Sequence, residues 1–147
     1  MVMMVAKAFV DTNIILRAFH SEFAEHVQVK ALFDQTILRD TQLFISRQVI
    51  REYLVQATHP RTFATEQSIE VVSQHLDQIT QVCTVLNDNT EVTAQLLNLL
   101  KTHPTRGKQI HDANIVATML ANDIDTLLTL NIADFQRYTG KITLVTI

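Results

Sequence analysis

The sequence predicts an α/β domain with a mostly parallel central sheet flanked by helices, and three observations carry that expectation. Short, continuous apolar runs of strand length alternate with longer stretches of helical apolar period. Acidic or amide residues stand just past apolar runs at Asp11-Thr12-Asn13, Glu52, Asp112 and Asn131 to Asp134. In an open parallel sheet the carboxyl ends of the strands face one crevice, where side chains distant in sequence meet. Finally, 47% of residues are hydrophobic and 18% charged, with only two glycines and two prolines, the balance of a compact, helix-rich chain with few places to bend sharply.

The elements follow in order. Ala8-Phe9-Val10 reads as a buried first strand, with Asp11 at its exit and a short helical turn from Asn13 through Phe19. Glu22 to Leu38 carries Phe23, Val27, Leu32, Phe33 and Ile37 as an approximate helical stripe. Gln42 to Ile45 is a second strand. Ser46 then caps a helix through Gln56, with Val49, Ile50, Tyr53 and Leu54 on one face and Glu52 a turn in, able to point back toward the crevice. After the break at Pro60, Thr65 to Ile79 is a helix with Thr65 as its cap and Ile69, Val72, Leu76 and Ile79 in period. Val82 to Leu86 is a strand, Asn87 to Asn89 a turn, and Thr90 to Leu100 a helix. Thr102 to Lys108, with Pro104 and Gly107, is an exposed loop leading to an apolar helix from Ile110 to Asn122. Leu127 to Leu130 is a strand, Asn131 to Arg137 a turn or short helix, and Ile142 to Ile147 the last strand.

At 147 residues the chain is expected to be one domain, residues 1–147. The net charge of −3 supplies no overall basic field, so any nucleic-acid contact must come from local clusters. Arg47 and Arg51 beside Glu52, and Arg106 with Lys108 ahead of Asp112, are the candidates, with a solvated surface as the competing reading. Cys83 is the only cysteine, which rules out an intrachain disulfide and a thiolate cluster and points to a reducing, cytoplasmic setting. Within Val82 to Leu86 it reads as a small buried hydrophobe. The apolar opening Met1 to Val10 is short, carries Lys7 and runs into Asp11 without a cleavage pattern, so neither a signal peptide nor a membrane span is expected.

Converging carboxylates suggest a magnesium or manganese site, because these hard cations prefer oxygen ligands and relieve the repulsion between unpaired acids. If Asp11, Glu52 and Asp112 meet, their summed charge holds one cation, and a second would draw on substrate phosphate oxygens. Each acid also has a plainer reading: Asp11 as a helix cap, Glu52 as a solvated helix residue, Asp112 as an anion at a helix N-terminus. Thr12 and Asn13 are supporting residues that orient Asp11 or its neighbours. Asn131 and Asp134 compete to complete the site, the first as a neutral oxygen donor and the second as a carboxylate. His111 reads as a surface or substrate-facing residue, and the remaining histidines lack zinc-ligand spacing.

Taken together, Phe9-Val10-Asp11-Thr12-Asn13-Ile14-Ile15-Leu16, Glu52, His111-Asp112-Ala113-Asn114-Ile115-Val116-Ala117 and Thr129-Leu130-Asn131-Ile132-Ala133-Asp134-Phe135 resemble the PIN domain ribonucleases, in particular VapC-like toxins of type II toxin–antitoxin modules. The resemblance spans the chain in order and spacing, with Arg61 to Leu100 generic. It implies a three-layer PIN-like fold and a Mg²⁺- or Mn²⁺-dependent endoribonuclease using one or two ions, with Asp11, Glu52 and Asp112 as catalytic metal ligands. It also implies water as nucleophile, 5′-phosphate and 3′-hydroxyl ends, structured RNA such as tRNA as target, homodimerisation, and a cognate antitoxin whose extended segment blocks the site. Asn131 departs from the aspartate many members carry, which keeps an inactive RNA- or partner-binding scaffold as the alternative. A haloacid-dehalogenase-like phosphatase fits less well, since Asn13 occupies its second acidic position, and a receiver-like module lacks its central-strand aspartate and later lysine.

Overall fold

The computed structural model describes residues 5–147. Residues 1–4, part of the opening stretch expected not to be a leader, lie outside the described residues. Five strands, β1 (Lys7–Val10), β2 (Gln42–Ser46), β3 (Cys83–Leu86), β4 (Thr126–Leu128) and β5 (Thr143–Val145), form one sheet in the order β3-β2-β1-β4-β5. Every pairing is parallel, because each strand is joined to the next by a helical crossover. The order reverses at β1: chain growth runs outward to β2 and β3 on one side and to β4 and β5 on the other. All carboxyl ends therefore share one edge, and the crevice beside the exit of β1 is where such sheets place ligands.

Among the described residues seven helices flank the sheet: α1 (Thr12–Phe19), α2 (His26–Leu38), α3 (Arg47–Thr58), α4 (Ile69–Val82), α5 (Thr90–Thr102), α6 (Gln109–Ala121) and α7 (Ile132–Phe135), the last followed by a 3-10 turn, Gln136–Tyr138. α1 packs on α2 and α3, α3 on α4, and α5 on α6. Four helices begin on a side-chain cap, from Asp11, Ser46, Ser68 and Asn89. Each cap satisfies one of the backbone N–H groups that a helix start leaves without an internal partner.

The core is built from both faces of the central strands. Phe9, Val10, Leu127 and Ile45 are buried in one cluster with Ile14, Ile15 and Leu16 of α1 and Ile115, Val116 and Met119 of α6. Each such side chain contributes roughly 1.5–3 kcal/mol by leaving water, so the exit of β1 rests on a rigid base. Cys83 is buried and its thiol is pushed up to about 12 by burial, an inert group. Val49, Tyr53 and Phe33 are turned into this core. No helix among the described residues is long and apolar enough to cross a membrane.

Several local expectations are corrected. α4 starts at Ile69 on a Ser68 cap, whose hydroxyl accepts from Val71 N at 3.2 Å, and Thr65 lies outside the helix. α2 starts at His26 and buries Val29 and Phe33, one turn apart, while Val27 is 77% exposed. Two residues along a helix turn past the opposite side, so once Val29 faces inward Val27 cannot. Val82 closes α4 instead of opening β3, and β4 stops at Leu128, after which Thr129 turns toward the crevice. The sharp bends that two glycines seemed too few to supply come partly from Asp40 and Asp123, which follow α2 and α6 at φ of 59° and 56°. Aspartate tolerates this left-handed conformation better than most residues.

Candidate functional site

The first acid is placed by strand and helix together. Asp11 follows β1, anchored by its own N–H donating to Leu128 O at 3.0 Å, and it caps α1, accepting from Thr12 N on Oδ1 at 2.8 Å. The capping role anticipated from sequence is therefore real, and it leaves Oδ2 turned toward β4. There the hydroxyl of Thr129, itself fully buried, donates to Oδ2 at 2.7 Å.

Glu52 sits a turn and a half into α3, held from two sides. Its Oε2 accepts from the Thr12 hydroxyl at 2.7 Å and its Oε1 from Gln48 Nε2 at 2.9 Å. Thr12 thus ties Asp11 to Glu52, through its main chain on one and its side chain on the other. The same Gln48 nitrogen donates to His111 O at 2.8 Å, and Gln48 Oε1 accepts from Asn114 Nδ2 at 2.9 Å. Gln48 is buried with its amide fully used, and it links α3 to the turn of α6 that presents Asp112.

These frames bring Asp11, Glu52 and Asp112 to one cleft of about 260 Å³, with Thr12, Asn13, Arg51 and Asn131 along its walls. Burial lifts the Asp11 carboxyl to about 6, against the lowering effect of the Thr129 and Thr12 hydrogen bonds and with added repulsion from Glu52 and Asp134. Burial also lifts Asp112 to about 6, helped by Asp134, Asp11 and Glu52 and opposed by His111. The acids sense one another. Among the described residues, however, no three His, Cys, Asp or Glu side chains are drawn together tightly enough to form a ready-made cage for a metal ion. Their donor set is nonetheless the hard-oxygen type that Mg²⁺ or Mn²⁺ favours, and a cation there would offset both the burial of the two carboxyls and their mutual repulsion.

The other residues singled out from sequence divide. Asn131 lines the cleft; Asp134, exposed on the first turn of α7, does not line it but adds its charge to both Asp11 and Asp112. Asn13 lines it too, but its Oδ1 accepts from Arg17 at 3.3 Å rather than orienting Asp11. Of the four basic candidates, Arg51 lines the cleft, Arg47 donates to Asn87 Oδ1 at 3.4 Å, and Arg106 and Lys108 are exposed ahead of α6 without lining it. His111 is exposed and offers only its carbonyl to the network.

Sequence reasoning assigned no role to Thr129, Gln48 or Asn114. Gln48 carries a usable signal, four residues before Glu52 on one helix face. Thr129 stands at the end of an apolar run, where only the fold reveals that Asp11 lies opposite. Asn114 offers no signal, since its partner belongs to another helix.

Among curated protein sequences, nothing matches this chain. Solved structures do. VapBC-1 of nontypeable Haemophilus influenzae is similar at 22% identity and a TM-score of 0.67, over 95% of this chain and 97% of that chain. FitAcB of Neisseria gonorrhoeae is similar at 22% identity and 0.67, over 93% and 95%. VapC20 of Mycobacterium tuberculosis, a sarcin–ricin loop cleaving toxin, is similar at 18% identity and 0.62, over 82% and 86%. At these identities the likeness is one of fold. The family model described as PIN domain matches residues 8–141, nearly the whole chain and all three acids of the cleft, and the chain belongs to the PIN domain family.

Proposed function

We propose that this protein is a divalent-metal-dependent endoribonuclease and the toxin half of a toxin–antitoxin pair. The observation that carries the reading is the meeting of Asp11, Glu52 and Asp112, from the exit of β1, from α3 and from α6, in one cleft. Membership of the PIN domain family supports nuclease chemistry, and the likeness in fold to toxin–antitoxin complexes such as one from Klebsiella pneumoniae supports a protein partner.

Asp11, Glu52 and Asp112 would hold Mg²⁺ or Mn²⁺, with Asn131 as a neutral oxygen beside them. When bound, the cation supplies charge neutralisation and Lewis-acid polarisation of a phosphodiester. The protein's own groups do the rest. Thr129, Thr12 and Gln48 hold Asp11 and Glu52 in fixed orientation, which lowers the reorganisation needed at reaction. Asp112 has no side-chain hydrogen bond among the described residues, so the carboxylate oxygen not used on the cation would be left to accept the proton of the attacking water. Attack at phosphorus with departure of the 3′ oxygen leaves 5′-phosphate and 3′-hydroxyl ends.

The test is cleavage of cellular RNA by the purified chain with Mn²⁺ or Mg²⁺, followed by mapping of the new ends. Asp11→Asn and Asp112→Asn are expected to lose about a hundredfold or more in rate, the scale of a few kcal/mol of transition-state stabilisation. Undiminished cleavage by both variants refutes the assignment. No cleavage by the unaltered chain, with RNA still bound, would favour the scaffold reading that Asn131 keeps in view. Growth arrest on expression, relieved by the product of an adjacent small gene, tests the toxin role.

A further inference from the structure

A second cavity opens next to the acid cleft and has the opposite character. It measures about 370 Å³, lies between α1 and the segment after α3, and shares Asn13 and Gln56 as walls with the cleft. Its other walls include Arg17, Phe23, His59 and Arg61, and no acidic residue lines it among the described residues. In a chain of net charge −3, such a gathering is not expected from composition.

One cationic group there is already ordered. Arg17 donates through Nε to Glu25 Oε2 and through one terminal nitrogen to Asn13 Oδ1, both at 3.3 Å, and its guanidinium stands 4.7 Å from the centroid of the Phe23 ring. That leaves its second terminal nitrogen without a hydrogen-bond partner among the described residues. Arg61 is exposed and makes no salt bridge among the described residues. Its main-chain N–H donates to His59 Nδ1 at 3.1 Å, which places the ring proton of neutral His59 on Nε2, as a further donor. Glu25 offsets part of the Arg17 charge, but it does not line the cavity.

Resting on the ribonuclease reading, we propose that the RNA strand leaves the acid cleft past Asn13 and Gln56 and lays its sugar–phosphate backbone in this groove, where Arg17 and Arg61 hold a phosphate. The shared walls make the groove continuous with the place where the scissile phosphodiester sits. Guanidinium groups bind phosphate by paired N–H donors, and an Arg fixed in advance loses less freedom on binding. Arg106 and Lys108, the basic residues closest in sequence to Asp112, line neither cavity, while Arg51 lines the cleft and Arg17 and Arg61 the groove, so the backbone path runs on the α1 side.

The test separates the groove from the nuclease assignment by measuring binding in the Asp112→Asn background. A fluorescein-labelled single-stranded RNA of about ten nucleotides is titrated by anisotropy over a series of salt concentrations. Adding Arg61→Ala is expected to weaken binding about tenfold and to reduce the salt slope by about 0.7, the value of one phosphate contact on a single strand. Arg61→Glu should weaken it further, while Lys108→Ala should change neither quantity. In cleavage by the otherwise unaltered protein, Arg61→Ala should raise KM and leave kcat nearly unchanged. RNA binding and salt slope indifferent to Arg61→Glu would overturn the proposal. So would variants that bind RNA normally but lose affinity for an oligoglutamate peptide, which would make the groove a seat for an acidic protein segment. Arg61-dependent RNA binding by a chain that cleaves nothing would sustain the groove while removing the nuclease.

Discussion

Thr129 donates its hydroxyl proton to Asp11 Oδ2 at 2.7 Å, joining the end of β4 to the end of β1 across the point where the strand order reverses. The same hydroxyl oxygen accepts from Asn131 N at 2.9 Å, so one buried side chain positions both an acid and the loop that bears the neutral member of the cleft. Thr129→Val keeps shape but leaves one buried and one part-buried polar partner unsatisfied, a cost of about 1–3 kcal/mol. We expect a lower melting temperature and a further rise in the Asp11 pKa, visible as a shift of the acid limb of cleavage to higher pH. Thr129→Ser should restore both. An unshifted pH profile in Thr129→Val would show that the hydroxyl does not act on Asp11.

Gln48 governs a different distance, that between α3 and α6. Replacing it with Leu removes donors to Glu52 and to the His111 carbonyl and strands the Asn114 amide. Loss of a group that orients a ligand typically costs 10–100-fold in metal affinity. Isothermal titration of Mn²⁺ into Gln48→Leu should show a loss of about that size. Gln48→Glu should be worse in stability, since it places an unpaired carboxylate against Glu52 in a buried setting. Equal Mn²⁺ affinity in the parent and Gln48→Leu would reduce Gln48 to a packing residue.

Asp11 was legible in sequence because it stands where the apolar run of β1 ends, and Glu52 and Asp112 because each is an acid within the first two turns of an apolar-faced helix. The strands were legible from their apolar runs, as at Phe9 and Val10, where the hydrophobic run is unbroken. The phase of α2 was not: Val27 and Val29 are chemically identical, and only packing against α1 selects the second. Partners that depend on a neighbouring element were equally hidden. Gln48 reads as an ordinary helix residue until α6 is placed beside it, and Arg17 becomes part of a groove only when Arg61, far along the chain, folds back to it.

The raised carboxyls make a stability prediction for the metal-free protein. Asp11 and Asp112 titrate near 6 when folded and near 3.8 in the open chain, so between those values the native state holds more protons. Their contribution is therefore fully present below about pH 3.8 and lost as pH rises through about 6. Asp112→Asn removes part of that penalty. After discounting for its partial exposure, a gain of about 1 kcal/mol, or about 3 °C in melting temperature, is expected near pH 7.5 and none near pH 4. Mn²⁺ should raise the melting temperature of the parent more than that of the variant. A variant no more stable than its parent at the higher pH would contradict the raised pKa of Asp112.

His20 imposes the opposite slope from the other side of α3. It is 1% exposed, its Nε2 is 2.8 Å from the Tyr53 hydroxyl, and its ring meets His75 edge-on with centroids 4.5 Å apart. Neither His20 Nδ1 nor His75 Nδ1 has a partner among the described residues. Burial lowers the His20 pKa to about 4; His75 and then His26 push the same way, against Glu22. The open chain protonates this residue near 6.5 and the folded chain does not, so its contribution to stability is complete above about pH 6.5 and is lost as pH falls toward 4. One proton of difference corresponds to a slope of up to about 1.4 kcal/mol per pH unit. His20→Gln keeps a hydrogen-bonding group for Tyr53 and removes the titration, so its stability by urea denaturation should fall less between about pH 6.5 and 4.5. Because Asp112→Asn acts on the acid cluster alone, combining the two substitutions should give additive changes in slope. If the parent and His20→Gln lose stability in parallel over that range, the buried histidine is not the group that titrates.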